Sequence, residues 1–251
     1  MKRARWAKIA AAGGLFLAMT ACSGPPGQPA AGPAPQGDDG WTRTPAILAI
    51  RPIEGGLVVT GRAEPGGRVV LRNAFGAAYA AAADAAGGFE IRMATSEAAL
   101  LLRPEIQVGQ DAAESPDRLL ILGGGRGPVA VLGVGRPALR LDAAPALGAV
   151  DSDGRSALVS GRTTGDEPVT VAAGGPPTRL QPGPAGRWSV LTTAAPGEAI
   201  RVNGREFVWP GPGAAAPGDL QVERDAGGWR VGWTGPGGAR QWTWLPVAPA
   251  S

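Results

Sequence analysis

From Trp41 onward the apolar residues come in short alternating runs broken by Gly and Pro, and no i, i+3, i+4 stripe lasts long enough to predict a helix. Leu57-Val58-Val59, Val69-Val70-Leu71, Phe89-Glu90-Ile91 and Ile106-Gln107-Val108 each have the length and composition of one strand. Many short strands at close, even spacing predict an all-β chain of sandwich or barrel type.

The runs also repeat. Val58-Val59-Thr60-Gly61-Arg62 returns as Leu158-Val159-Ser160-Gly161-Arg162, and Arg68-Val69-Val70-Leu71 as Pro168-Val169-Thr170-Val171, both at an offset of 100. Gly87-Gly88-Phe89-Glu90-Ile91 matches Gly186-Arg187-Trp188-Ser189-Val190 at an offset of 99. Further along, Ile106-Gln107-Val108-Gly109 matches Ile200-Arg201-Val202-Asn203, and Arg118 to Leu122 matches Arg205 to Trp209. Five matches in one order, with gaps confined to turn-like segments, predict two copies of one β module, the first with longer loops. In each copy a Gly supplies backbone freedom just before an aromatic, Phe89 or Trp188, expected to plug the core.

The frame of strand, Gly61-Arg62-Ala63-Glu64-Pro65-Gly66 turn, strand, Asp84-Ala85-Ala86-Gly87-Gly88 turn and Phe89 strand resembles bacterial Ig-like domains. The second copy has no Pro-Gly turn and carries Gly183 in place of Asp84. The resemblance covers residues 46–122 and 147–209. It implies tandem Ig-like β-sandwiches that serve as adhesive, spacer or binding modules, with no catalytic residues to carry over. Val129 to Leu132 and Ala138 to Leu141 are expected to complete the first domain or to pair across the junction. The predicted layout is residues 44–142 and 143–210 for the two domains, then a linker and a Trp-rich C-terminal β hairpin or meander over 211–251.

The chain start reads differently. Lys2, Arg3, Arg5 and Lys8 precede an apolar run from Ile9 to Ala21, too short for a bilayer core of about 30 Å, which predicts a secretory signal over residues 1–21. Met19-Thr20-Ala21-Cys22 resembles the lipobox of bacterial lipoproteins, which implies cleavage before Cys22 and acylation of its thiol by fatty acids such as palmitate. Ser23 in the next position resembles lipoproteins sorted to the outer membrane. Ser23 to Gly40 has no large apolar residue and is expected to form, within 22–43, a flexible tether. Gly (41) and Pro (25) make up about a quarter of the 251 residues, and Cys22 is the single cysteine, so an intramolecular disulfide is excluded.

Charge follows the same division. Residues 1–21 hold four of the 24 basic residues and none of the 21 acidic ones, so the remainder carries 20 basic against 21 acidic groups, a net charge of −1. That balance gives no footprint for nucleic acid.

Catalytic chemistry is narrow. With no His in the chain and no Lys beyond Lys8, the Ser-His-Asp, Cys-His and Ser-Lys devices are excluded, as are Schiff bases and ordinary zinc sites. Carboxylate pairs remain, but the acidic residues are scattered through turns. Asp151-Ser152-Asp153-Gly154 lacks the third and distal acids of a calcium loop and reads as a turn, aligned with Ile53-Glu54-Gly55-Gly56. Gly123-Gly124-Gly125-Arg126-Gly127 lacks the ending of a phosphate loop and reads as a plain loop. No cofactor, metal or enzyme activity is expected.

Trp229, Trp233, Trp242 and Trp244 place four of the eight tryptophans in 16 residues. Exposed in a row they would offer sugar rings a platform; buried, they would pack the terminal hairpin onto the preceding domain. The expectation is a non-enzymatic envelope lipoprotein, membrane-anchored and with an envelope protein or glycan as partner. A peptidoglycan or exopolysaccharide binder using those four rings is the alternative.

Overall fold

The computed structural model describes residues 43–247 apart from 215 and 226; the signal, Cys22 and most of the tether lie outside the described residues. The first half contains β1 (Ala46–Ile53), β2 (Gly56–Arg62), β3 (Arg68–Arg72), β4 (Ala78–Ala82), β5 (Gly88–Ala94), β6 (Leu100–Val108), β7 (Asp111–Glu114), β8 (Asp117–Ile121), β9 (Val129–Gly133) and β10 (Leu139–Arg140). The second contains β11 (Leu147–Ser152), β12 (Ala157–Arg162), β13 (Val169–Ala173), β14 (Thr178–Leu180), β15 (Arg187–Thr192), β16 (Ala199–Val202) and β17 (Arg205–Val208). Last come β18 (Leu220–Arg224), β19 (Gly228–Thr234) and β20 (Arg240–Pro246). The described chain is all-β and of sandwich type, as the alternating runs predict, with antiparallel pairing throughout.

Four sheets stack in layers. Their orders are β1-β2-β5; β10-β9-β8-β6-β3-β4 with β7 alongside β6; β15-β12-β11-β20-β19-β18; and β14-β13-β16-β17. One core, built around Val59, Leu71, Phe89, Ile91 and Leu119, fills the space between the first two sheets. Another, around Val159, Val171, Trp188, Ile200 and Trp244, fills that between the last two. A third joins the middle sheets through Leu120, Leu122, Ala130 and Leu132 on one side and Ala149, Val231, Trp233 and Leu245 on the other. Because β8 lies in a middle layer, Leu119 and Ile121 face one core while Leu120 faces the next, and the strand is apolar on both sides. Its counterpart β17 lies in an outer layer, and there only Phe207 is buried.

The repeat extends to details of register. A β-bulge interrupts β1 between Ile47 and Ala49, and another interrupts β11 between Leu147 and Ala149. Gly61 is opposite Phe89, and Gly161 is opposite Trp188. A Cβ on Gly61 would come 2.5 Å from the Phe89 ring, and one on Gly161 would come 2.5 Å from the Trp188 ring, each also striking a backbone carbonyl of Ala46 or Ala146. Gly87 and Gly186 adopt φ of +78° and +70° and accept hydrogen bonds from the amides of Ala63 and Thr163 respectively.

The structure corrects three alignments. Leu71 pairs with Pro104 and Val171 with Val202, so Leu102 and Pro104, not Ile106 and Val108, stand level with Ile200 and Val202. β6 continues past this point and returns as β7, an extra hairpin within the longer first half. Leu102 pairs with Leu119 and Ile200 with Phe207, so Phe207 matches Leu119 rather than Leu120. A one-residue slip would have sent the core side chain to the opposite face. Finally, Ile50 pairs with Val59 and Val150 with Val159, which sets Asp151 level with Arg51, not Ile53. The segment from Val129 to Leu141 extends the first half's large sheet as β9 and β10 and also contributes to the junction core.

Candidate functional site

The Trp-rich strands do not stand apart from the preceding half. β20 pairs with β11, with Val150 opposite Trp244 and Ser152 opposite Trp242, so β18, β19 and β20 widen the six-stranded sheet. Alternation then divides the four indoles between two faces. Trp229 and Trp233 point to the junction core, and Trp244 enters the second half's own core. Trp233, Trp244 and Trp242 are 1%, 2% and 7% exposed, and Trp229 is half-buried. Trp242 fits a slot where a Cβ on Gly213 or Gly232 would approach its ring to 2.6 or 2.7 Å. The outer ring faces are occupied too: Arg240 stacks 5.3 Å from Trp242, and Arg224 stacks 4.9 Å from Trp229. No row of open indole faces results.

Polar groups at the junction form a connected set. The Trp233 indole N–H donates to Thr243 Oγ1 at 3.1 Å, and the Thr243 hydroxyl donates to Asp151 Oδ1 at 2.7 Å. The Ala138 amide donates to Asp151 Oδ2 at 2.7 Å, carrying the set from the second half to the first. No cation pairs with Asp151 among the described residues; Arg136, which lines the same cleft of about 200 Å³, is bonded to Asp117. Burial therefore pushes the Asp151 carboxyl up to about 6, against the opposing effect of its two hydrogen bonds. Sequence reasoning placed Asp151 in a turn. The signal it missed is the register, which makes Asp151 a strand residue facing the junction.

Arg140 is the second cross-half contact. It is 8% exposed, donates from Nη1 to the carbonyls of Gly148 and Pro246, and forms a forked pair with Asp142. Beside it a cleft of about 460 Å³ runs between β1, β9 and β10 and the outer face of β12 and β15. Arg162 and Arg187 are cross-strand neighbours on that outer face, and neither has an ion pair among the described residues. On the opposite flank of the junction, a cleft of about 1070 Å³ is bordered by Phe75, Leu100, Leu101 and Leu220.

The remaining candidates have local roles. Asp153 Oδ1 accepts the amides of Arg155 and Ser156, which closes the β11–β12 turn and lowers its pKa. Gly123–Gly125 is a short 3-10 turn, with Gly125 lying against Leu57. Among the described residues no group of three or more His, Cys, Asp or Glu is placed to hold a metal ion. Among them, too, no helix is long and apolar enough to cross a membrane.

No known protein-family model matches the chain, and no curated protein is significantly similar to it.

Proposed function

We propose that this is a non-enzymatic lipoprotein of the bacterial cell envelope. It is anchored through acylated Cys22, directed to the outer membrane, held off the lipid by the segment from Ser23 to Gly40, and folded as two tandem Ig-like domains. Its work is to act as an interaction or spacer module. The observation that carries this reading is the repetition of bulge, glycine cradle and aromatic plug at the same register in both halves. Such a duplication builds length and surface, and among the described residues neither half gathers a set of reactive side chains. The lone cysteine at the end of a lipobox-like run supports the anchor.

Palmitate labelling of the native protein, with mass analysis of its N-terminal peptide, tests the anchor. The expected product begins at Cys22 and carries acyl chains, and Cys22→Ser abolishes labelling. An unlabelled product, or one cleaved elsewhere, contradicts the reading. Packing is favoured over a glycan platform by the burial of Trp233, Trp242 and Trp244 and by the stacking of Arg240 on Trp242 and Arg224 on Trp229.

A further inference from the structure

The duplication makes the two halves controls for one another, and they differ at one edge. In the second half the outer edge of β11 is filled by β20. In the first, β1 is the terminal strand of its sheet, and its outer edge has no partner among the described residues. Register makes the edges equivalent: Ile50 corresponds to Val150, Arg51 to Asp151 and Pro52 to Ser152. Glu54 and Gly55 form a two-residue turn with Ile53 opposite Gly56, so the Ile53 and Arg51 backbone groups bond to β2 while those of Ile50 and Pro52 point outward. Val150 and Ser152 use the matching positions to hold β20.

Side chains mark the same edge. Val150 is 1% exposed under Trp244, whereas Ile50 is only partly buried at the margin of the first core. Arg51 is exposed and makes no ion pair among the described residues. Pro52 has no N–H, so pairing is confined to the Ile50 amide and carbonyl and the Pro52 carbonyl. That guards the edge against run-on aggregation while leaving a short, defined ladder.

We propose that the Ile50–Pro52 edge of β1 accepts an extended segment of a partner protein by strand addition. The segment runs antiparallel to β1, as β20 does to β11, with bulky apolar residues flanking an acidic one. The residue opposite Ile50 closes the first core as Trp244 closes the second, and the acidic residue pairs with Arg51. The inference deepens the interaction-module reading and rests on it, yet its test is independent of acylation.

The probe is the heptapeptide Arg-Gln-Trp-Glu-Trp-Leu-Pro, the sequence of β20 with Glu at the centre, titrated to millimolar concentration into isotope-labelled chain from residue 22 onward carrying Cys22→Ser. The expected result is saturable amide shifts centred on Ile50 and Arg51. A peptide with Lys at the centre should bind about two- to five-fold more weakly, the range of an exposed ion pair. Arg51→Glu should reverse that order, and Ile50→Pro should abolish the shifts while the rest of the spectrum stays folded. Three results would overturn the proposal: no saturable shift in β1, a charge order indifferent to Arg51→Glu, or concentration-dependent shifts of β1 without peptide, which would place a second copy there. Failure of acylation would leave a positive titration standing, and a failed titration would leave the anchor intact.

Discussion

Asp151 lets folding stability be read against pH. Its carboxyl rises from 3.8 to about 6 in the folded chain because burial disfavours the charged form. Well below pH 3.8 the group is protonated in both states and contributes nothing. As pH rises from about 4 to about 6, the unfolded chain loses its proton first, so the folded state is progressively penalised, and above 6 the full penalty applies. Two pKa units correspond to about 3 kcal/mol, so this group makes the protein less stable at pH 7 than at pH 4. Asp151→Asn removes the charge while its Oδ1 can still accept the Ala138 amide, at the cost of a changed bond to Thr243. Urea unfolding of both proteins from pH 4 to pH 8 isolates the effect as a difference in slope. The wild type should lose about 2.5 kcal/mol relative to the variant across that range, because a small part of the penalty is already present at pH 4. Parallel curves, or a wild type that gains on the variant toward neutral pH, would refute the assignment of a desolvated carboxylate without a cation partner at the junction.

Trp233→Ala and Trp244→Ala should each cost about 3–5 kcal/mol in urea or thermal unfolding, and Trp229→Ala distinctly less because that ring is only half-buried. Gly61→Ala and Gly161→Ala each drive a methyl into an aromatic ring and a carbonyl, so both should be severely destabilised and to a similar degree. Loss in one half alone would show that the two cradles are not equivalent. Arg140→Met strips Asp142 of its forked partner and leaves the carbonyls of Gly148 and Pro246 without their donor. Unfolding should show a loss of about 3–5 kcal/mol, the cost of breaking a buried pair from one side.

Strand content, the repeat and the core aromatics were legible in the sequence because each depends on local alternation and on glycines that close packing makes obligatory. Gly61 and Phe89 reappear as Gly161 and Trp188 in the same register. The later strands were misaligned because β6 and β8 are separated by an inserted hairpin, and apolar residues at period two fit equally well when displaced along a strand. One contrast in the sequence does encode layering. Leu119-Leu120-Ile121-Leu122 is apolar throughout and lies between two sheets, whereas Arg205-Glu206-Phe207-Val208 opens with two charged residues, buries only Phe207 and lies on the outside. Pairing of β20 with β11 joins residues about 90 positions apart, and no local pattern specifies such a contact. Asp151 and Arg140 were missed for the same reason: their partners come from the other half or from the C-terminal strands.

β19 carries Trp229 and Trp233 into the junction core, and β20 carries Trp244 into the second half's core. Hydrogen exchange of the indole N–H groups, followed by NMR with and without soluble peptidoglycan fragments, reads that packing. The Trp233 and Trp244 indole protons should exchange only on global unfolding, and the fragments should shift neither them nor the signals of Trp229 and Trp242. Exchange as fast as free indole, or saturable shifts of these rings by glycan, would contradict it.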